Sequence, residues 1–317
     1  MMTNKNKACE YQIKGQKLSE KDIEQIKEIV GMYPRLDLQE LVRTICVIMH
    51  WNAFVKTEKE QTVEQLLYDL ADGGIIQLRN QRKQKPSEPK GGYKTSWYKK
   101  REIEITEQTK AAEDVTGIVN NFYPVSLELV SDTDKEALWD EYVERYHELK
   151  YGSPFGNRIK YFITISGENP QYAGCLLFSA SSWALEERDK LIGWEKEERK
   201  QRLHLIVNNS RFLIFPWIKI KNLASYALGE SARRIRKDWL KLFKYEPVLL
   251  ETFVDGAKYS GGCYTAANWI YVGDSKGRGR HAPSKKYVTS PKKIYLYPLV
   301  KDFRDYLTGK KQGGEIL

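Results

Sequence analysis

The sequence predicts an α+β protein in two parts. A small helical domain covers 1–78 and a mixed α/β domain covers 102–317, joined by a basic linker or wing over 79–101 that contains Pro and Gly. Three observations predict this. Apolar residues recur at helical spacing through the first 78 positions, a Pro/Gly-containing basic stretch then breaks the periodicity, and β-prone runs beyond it alternate with a long amphipathic helix. A length of 317 residues suits two domains of about 150 residues, each large enough to bury a core unaided.

In the first part, Ile23, Ile26 and Val30 form one stripe, and Leu38, Leu41, Val42, Ile45 and Met49 form a second. A third helix carries Val63, Leu66, Leu67 and Leu70 and stops at Gly73-Gly74, which supplies a left-handed cap. Ile75 to Leu78 then reads as a short strand. Three helices and a strand outline a winged helix-turn-helix. The exposed face of the third helix, with Glu64, Gln65, Asp69 and Asp72, is acidic, which fits docking to a protein as well as it fits contact with DNA.

The second part opens with a charged helix from Asp134 to Leu149. Strands at Ile159–Ile165 and Tyr172–Ser179 flank a turn containing Gly167, Asn169 and Pro170. The charged stretch 184–204 reads as a helical surface insertion or lid. Arg211 to Ile220, RFLIFPWIKI, is β-prone, and Pro216 marks a bulge or an edge there. A helix follows from Leu223 to Phe243, then a strand at Pro247–Asp255, a short helix around Tyr259–Trp269, a strand at Ile270–Gly273 and a last strand at Lys293–Tyr297.

Hydrophobic residues make up 41% and charged residues 30% of the chain, a globular balance that excludes collagen-like and wholly disordered chains. Mean hydropathy is −0.59 and no apolar run approaches the length of a membrane span. The N-terminus lacks the apolar core of a secretory signal, so a cytoplasmic protein is expected. Cys9, Cys46, Cys175 and Cys263 lie far apart without a CxxC, and His50, His147, His204 and His281 form no close pair, so no metal is expected.

The net charge of +10 is unevenly spread: −2 over 1–78, +8 over 79–101, −11 over 102–198 and +15 over 199–317. Such polarity points to a polyanion-binding face, because clustered Lys and Arg release counterions from phosphates. No acidic residue lies between Asp274 and Asp302, while Lys276, Arg278, Arg280, Lys285, Lys286, Lys292 and Lys293 fall there. Gly277 and Gly279 let that backbone approach a phosphate closely. In the linker, Tyr93, Trp97 and Tyr98 interleave with basic residues, a pattern suited either to stacking bases or to a solvated connector. Asn208, Asn209 and Arg211 stand at the start of a strand, where they either fix a base edge or hold a loop.

Dinucleotide, Walker and zincin motifs are absent. On the strand ETFVD, Glu251, Phe253 and Asp255 share a face, so the carboxylates are candidates for acid or base work or for pairing with an arginine. His147, beside Tyr146 at a helix end, is a candidate titrating group or cap, and Tyr264 is a candidate donor.

The segments RYHELKYG (145–152), RDKLIGW (188–194), VNNSRFLI (207–214), NLAS (222–225), PVLLETFVD (247–255), YTAANW (264–269) and GDSKGRGR (273–280) together resemble the DruA family of the Druantia anti-phage defence system, which has relatives beside bacterial transposases. The resemblance implies a role in antiviral defence with a large helicase-like partner. The order of elements from RFLIFPWIKI to YTAANWIYVG is also similar to the GNAT acyltransferase fold, with NLASYALGESARRI in the place of the pyrophosphate-loop helix. That likeness implies acyl-CoA, but KIKNLAS lacks the glycines of the loop, so no cofactor is expected. The reading is a DNA-binding defence component with a GNAT-like core. The alternatives are a transferase that modifies a base or another amine through Glu251, Asp255, His147 and Tyr264, and a transposition accessory protein.

Overall fold

The computed structural model describes residues 11–13, 16–33, 36, 38–49, 60–78, 103–152, 156–166, 170–182, 185–275 and 290–311. The chain divides into two compact units, 1–99 and 100–317.

In the first unit, two-residue strands β1 (Gln12–Ile13) and β2 (Gln16–Lys17) pair antiparallel ahead of helix α1 (Glu20–Met32). Ser19 caps α1 by accepting from the Asp22 amide at 3.2 Å, while Asp22 Oδ2 accepts from the Ser19 amide at 2.9 Å. Helices α2 (Leu38–Ile48) and α3 (Glu60–Asp72) follow, and Ile26, Ile45, Val63, Leu67 and Leu70 are buried. Gly74 takes the left-handed conformation at φ +71°, and the Ile75 amide donates back to the Leu70 carbonyl at 2.9 Å. The strand expected at 75–78 is therefore a turn. Ile76 is buried as the apolar partner of the helix cap, and its amide also points at the Leu70 carbonyl, so neither residue is free to build a ladder. The linker 79–101, with Trp97, lies outside the described residues.

The second unit is built on a seven-stranded sheet in the order β10-β11-β9-β7-β6-β5-β4. Its strands are β4 (Ser126–Leu129), β5 (Arg158–Ile165), β6 (Gln171–Ala180), β7 (Ile206–Ile214), β9 (Leu249–Asp255), β10 (Ile270–Asp274) and β11 (Lys292–Pro298). All neighbours are antiparallel except β7 and β9. Tyr161 and Phe162, adjacent on β5, point to opposite faces. The Tyr161 hydroxyl donates to Asp238 of helix α7 (Leu223–Phe243) at 2.7 Å, and the Phe162 ring meets Tyr142 of helix α4 (Glu136–Tyr146) edge-on at 5.9 Å. The sheet is thus covered on both sides. Its buried stretch Ile159–Ile163, apolar apart from Lys160, is the mark of a two-sided strand.

Two expectations are corrected. The stretch 184–204 is no surface insertion: helices α5 (Glu186–Ile192) and α6 (Lys196–Arg202) pack so that Arg188, Ile192 and Trp194 are buried. Their few apolar residues suffice because a buried ion pair, described below, supplies the rest of the attachment. RFLIFPWIKI is not one strand either. β7 ends at Ile214, Pro216 occupies the turn, and β8 (Ile218–Lys221) leaves to pair in parallel with β3 (Val115–Ile118) in a separate two-stranded sheet. Pro216 has no amide to continue the ladder. Among the described residues no helix is long and apolar enough to cross a membrane.

The centre of the sheet leaves no room for growth. A Cβ on Gly174 would press against the Leu213 carbonyl and meet Ile214 Cα at 3.1 Å and Ile163 Cδ1 at 3.2 Å. Gly174→Ala is expected to destabilise the second unit by about 1–3 kcal/mol, read as a shifted denaturation midpoint.

Candidate functional site

The parallel pairing of β7 with β9 is short. It joins Ile206–Asn209 to Leu249–Thr252, after which β7 stays with β6 as far as Ile214 and β9 stays with β11 as far as Asp255. A wedge opens between the two strands from Ser210 and Phe253 onward. Asn208, Asn209, Glu251 and Tyr264 gather at its apex, on both faces of the sheet.

On one face, helix α8 (Gly262–Ala266) delivers Tyr264, whose hydroxyl donates to Asn209 Oδ1 at 2.8 Å. Thr252 Oγ1 donates to the Asn209 carbonyl at 3.0 Å and lies 3.4 Å from the Tyr264 hydroxyl. Asn209 Nδ2 donates to the carbonyls of Leu177 and Arg211 at 3.2 and 3.1 Å. The Tyr264 ring packs on Tyr295 at 5.7 Å and edge-on to Phe212 and Trp269. Burial pushes its hydroxyl well above the usual tyrosine range, so it stays protonated as a donor.

On the other face, Glu251 is fully buried. Its Oε2 accepts from Arg188 Nη1 at 2.8 Å and its Oε1 from the Ser182 amide at 2.7 Å. Arg188, also fully buried, donates to the Ser182 carbonyl at 2.8 Å and to Asp189 Oδ1 through Nε and Nη2 at 2.9 and 2.8 Å. Arg199 completes the group on Asp189 Oδ2 at 2.8 Å. Both Glu251 oxygens are thus committed to charge pairing and backbone capture. Asn208 stands opposite Glu251 in the strand register and is also buried, and its Oδ1 has no hydrogen-bond partner. It is a spare acceptor beside the ion pair.

The remaining candidates sit elsewhere. Asp255 ends β9 and accepts from the Ala257 amide at 3.1 Å, holding the turn before α8. Arg211 donates to the Lys150 carbonyl at 3.1 Å and to the Ser210 carbonyl at 2.7 Å, tying the central strand to the loop after α4. His147 Nδ1 accepts from the Leu149 amide at 3.1 Å, and burial together with the Arg211 charge lowers its pKa to about 4, so it is neutral near pH 7. Lys276, Arg278, Arg280, Lys285 and Lys286 lie outside the described residues. The structure therefore brings Asn209 and Tyr264 together and sets Asn208 beside Glu251, while Asp255 holds the turn before α8 and His147 and Arg211 meet at the loop after α4. Sequence reasoning missed Arg188, Asp189 and Thr252. The one available signal was that Arg188 opens the segment RDKLIGW. Among the described residues no cluster of His, Cys, Asp and Glu is arranged to hold a metal.

The profile of the Druantia protein DruA family matches residues 69–289, more than half of the chain, including Arg188, Asn208, Asn209, Glu251 and Tyr264. The chain belongs to the DruA family. Among solved structures, the microcin C7 self-immunity acetyltransferase MccE, crystallised with acetyl-CoA and AMP, is 10% identical, with 53% of this chain and 71% of that one covered at a TM-score of 0.28. No curated protein matches the sequence.

Removing one partner of a buried ion pair strands the other charge. Arg188→Ala is expected to cost about 3–5 kcal/mol, and Arg188→Met with Glu251→Leu to recover most of it, measured by chemical denaturation. His204, buried beside Tyr245, has its pKa lowered by burial to about 4, below its ordinary 6.5. Between those values the unfolded chain binds a proton that the folded one refuses, so stability falls as pH drops from 6.5 toward 4. The loss is about 3 kcal/mol from this residue, and His204→Gln is expected to flatten that limb of the pH–stability curve.

Proposed function

We propose that this chain is the DNA-binding component of a bacterial anti-phage defence system of the Druantia type. The observation that carries the reading is a net charge of +15 over residues 199–317 within a DruA-family chain. Charge of that size in a globular domain favours a phosphate backbone through counterion release. The segment holding Lys276, Arg278, Arg280, Lys285 and Lys286 offers five cations with no acid among them. The large helicase-like partner implied by the family would act on the DNA that this chain holds.

Binding is favoured over base modification by the state of the candidate catalytic groups. Glu251 spends both oxygens on Arg188 and a backbone amide, and the Tyr264 ring fills the apex of the wedge. Neither is presented to a substrate. Asn209 and Arg211 likewise work on backbone carbonyls, which favours their role in holding loops over reading bases.

Fluorescence anisotropy with labelled DNA across a salt series tests the proposal. Affinity is expected to fall steeply with salt, and Arg278→Glu with Arg280→Glu to weaken binding and flatten the log–log slope by about 2. Absence of binding at low salt would overturn the reading, and an unchanged double variant would remove the 276–286 segment from it.

A further inference from the structure

Helix α7 carries more positive charge than its packing uses. Its acids are each met by an arginine: Glu230 by Arg233, Asp238 by Arg234 at 2.6 Å, and Glu246, just past the helix end, by Arg236 at 2.5 Å. Lys237, Lys241 and Lys244 are exposed, and none has a carboxylate partner among the described residues; Lys244 Nζ reaches only the Lys241 carbonyl, at 3.4 Å. At 100° and 1.5 Å per residue, positions 233, 237 and 241 share one face over about 12 Å, and Lys244, just past the helix end, reaches back to the Lys241 carbonyl. The result is a row of cations pointing at solvent.

The row leads into a cavity. Between the first half of α7 and helix α8 lies a groove of about 490 Å³, lined by Asn222, Ser225, Tyr226, Arg233, Asn268 and Tyr297 among others, with the Glu230 carboxylate held by Arg233 at its edge. Its volume falls within the roughly 300–1,000 Å³ range of ligand pockets. Asn222 and Asn268 are both exposed and both in the left-handed conformation, at φ +69° and +63°. Tyr226 packs against exposed Tyr123 at 5.3 Å. Arg233 belongs to both the row and the groove.

We propose that this face of α7 is a track for a single nucleic-acid strand, with Lys237, Lys241 and Lys244 along the phosphates and the Tyr226 groove receiving a base. The inference rests on the nucleic-acid reading above and assigns it to residues outside the 276–286 segment. Side-chain amides offer paired donors and acceptors to a base edge, tyrosine faces offer stacking, and unneutralised lysines supply backbone affinity. A duplex satisfies the lysines but keeps its bases stacked inside, away from the groove.

The test uses the full chain with a labelled oligothymidylate and a duplex of equal length across a salt series. Lys237→Gln/Lys241→Gln/Lys244→Gln is expected to flatten the single-strand log–log slope by about 2. Tyr226→Ala is expected to weaken the single strand by about 5- to 150-fold while leaving the duplex unchanged, and Tyr226→Phe to retain binding. Thermal unfolding of each variant establishes that the fold is kept. If the protein binds DNA but the triple variant keeps its slope, or if Tyr226→Ala loses duplex and single strand equally, the track is overturned and the nucleic-acid reading stands. If the unaltered protein binds neither, both fall.

Discussion

The ion pair between Arg188 and Glu251 lies in the sheet with no exposure on either side chain, and the rest of the second unit is arranged to make that possible. A buried carboxylate and guanidinium lose several kcal/mol of hydration each, which is recovered only when every remaining donor and acceptor is used. Here the Ser182 backbone supplies an amide to one and a carbonyl to the other, while Asp189 takes the far side of the guanidinium. The pair therefore specifies three things together: the place of α5, the path of the chain after β6, and the position of β9 in the sheet.

The central strands are asymmetric for the same reason. β7 and β9 stay together for only four paired positions, and the polar side chains concentrate where they part. On the α8 face the parting is sealed by Tyr264, Asn209 and Thr252, which satisfy one another and nearby carbonyls. On the other face the seal is ionic, and Asn208 Oδ1 is left without a partner beside it. A hydroxyl–amide seal and an ionic seal back to back give the middle of the sheet specificity that an apolar core lacks.

The linear separation of charge, −11 followed by +15, is partly consumed by folding. Lys219 meets Asp114, Lys258 meets Glu148, and Arg199 meets Asp189, each pair joining a basic residue of the later segment to an acid of the earlier one. Within the acidic segment, Lys160 is buried against Asp140 and Glu136. What survives on the surface is local, as on the outer face of α7, where the acids are spent on arginines and the lysines are not. Composition thus overstates the free charge of the whole domain and understates its concentration.

Elements dictated by local rules were legible in the sequence. Helix α7 runs from Leu223 to Phe243 as its periodicity and its flanking residues require, with Asn222 and Lys244 in left-handed conformations at its two ends. The strand at 158–165 followed from its β-branched and aromatic run and the one at 171–180 from the Gly, Asn and Pro turn ahead of it, and Gly74 capped α3 as Gly-Gly predicts. Local rules failed where a distant partner outvoted them. Ile75 and Ile76 have strand propensity, yet their amides turn back to Leu70 and the Ile76 side chain closes the helix cap. The charged 184–204 stretch reads as solvated because nothing nearby shows that Arg188 meets a carboxylate 63 positions away. The same applies to the candidate site. Residue types and spacing singled out Glu251 and Tyr264 as candidates for chemistry and Asn209 as a candidate contact to a base, but periodicity fixes only which neighbours share a face. Which face meets which helix, and so whether a carboxylate is free or spent, is set by long-range packing that only the folded chain contains.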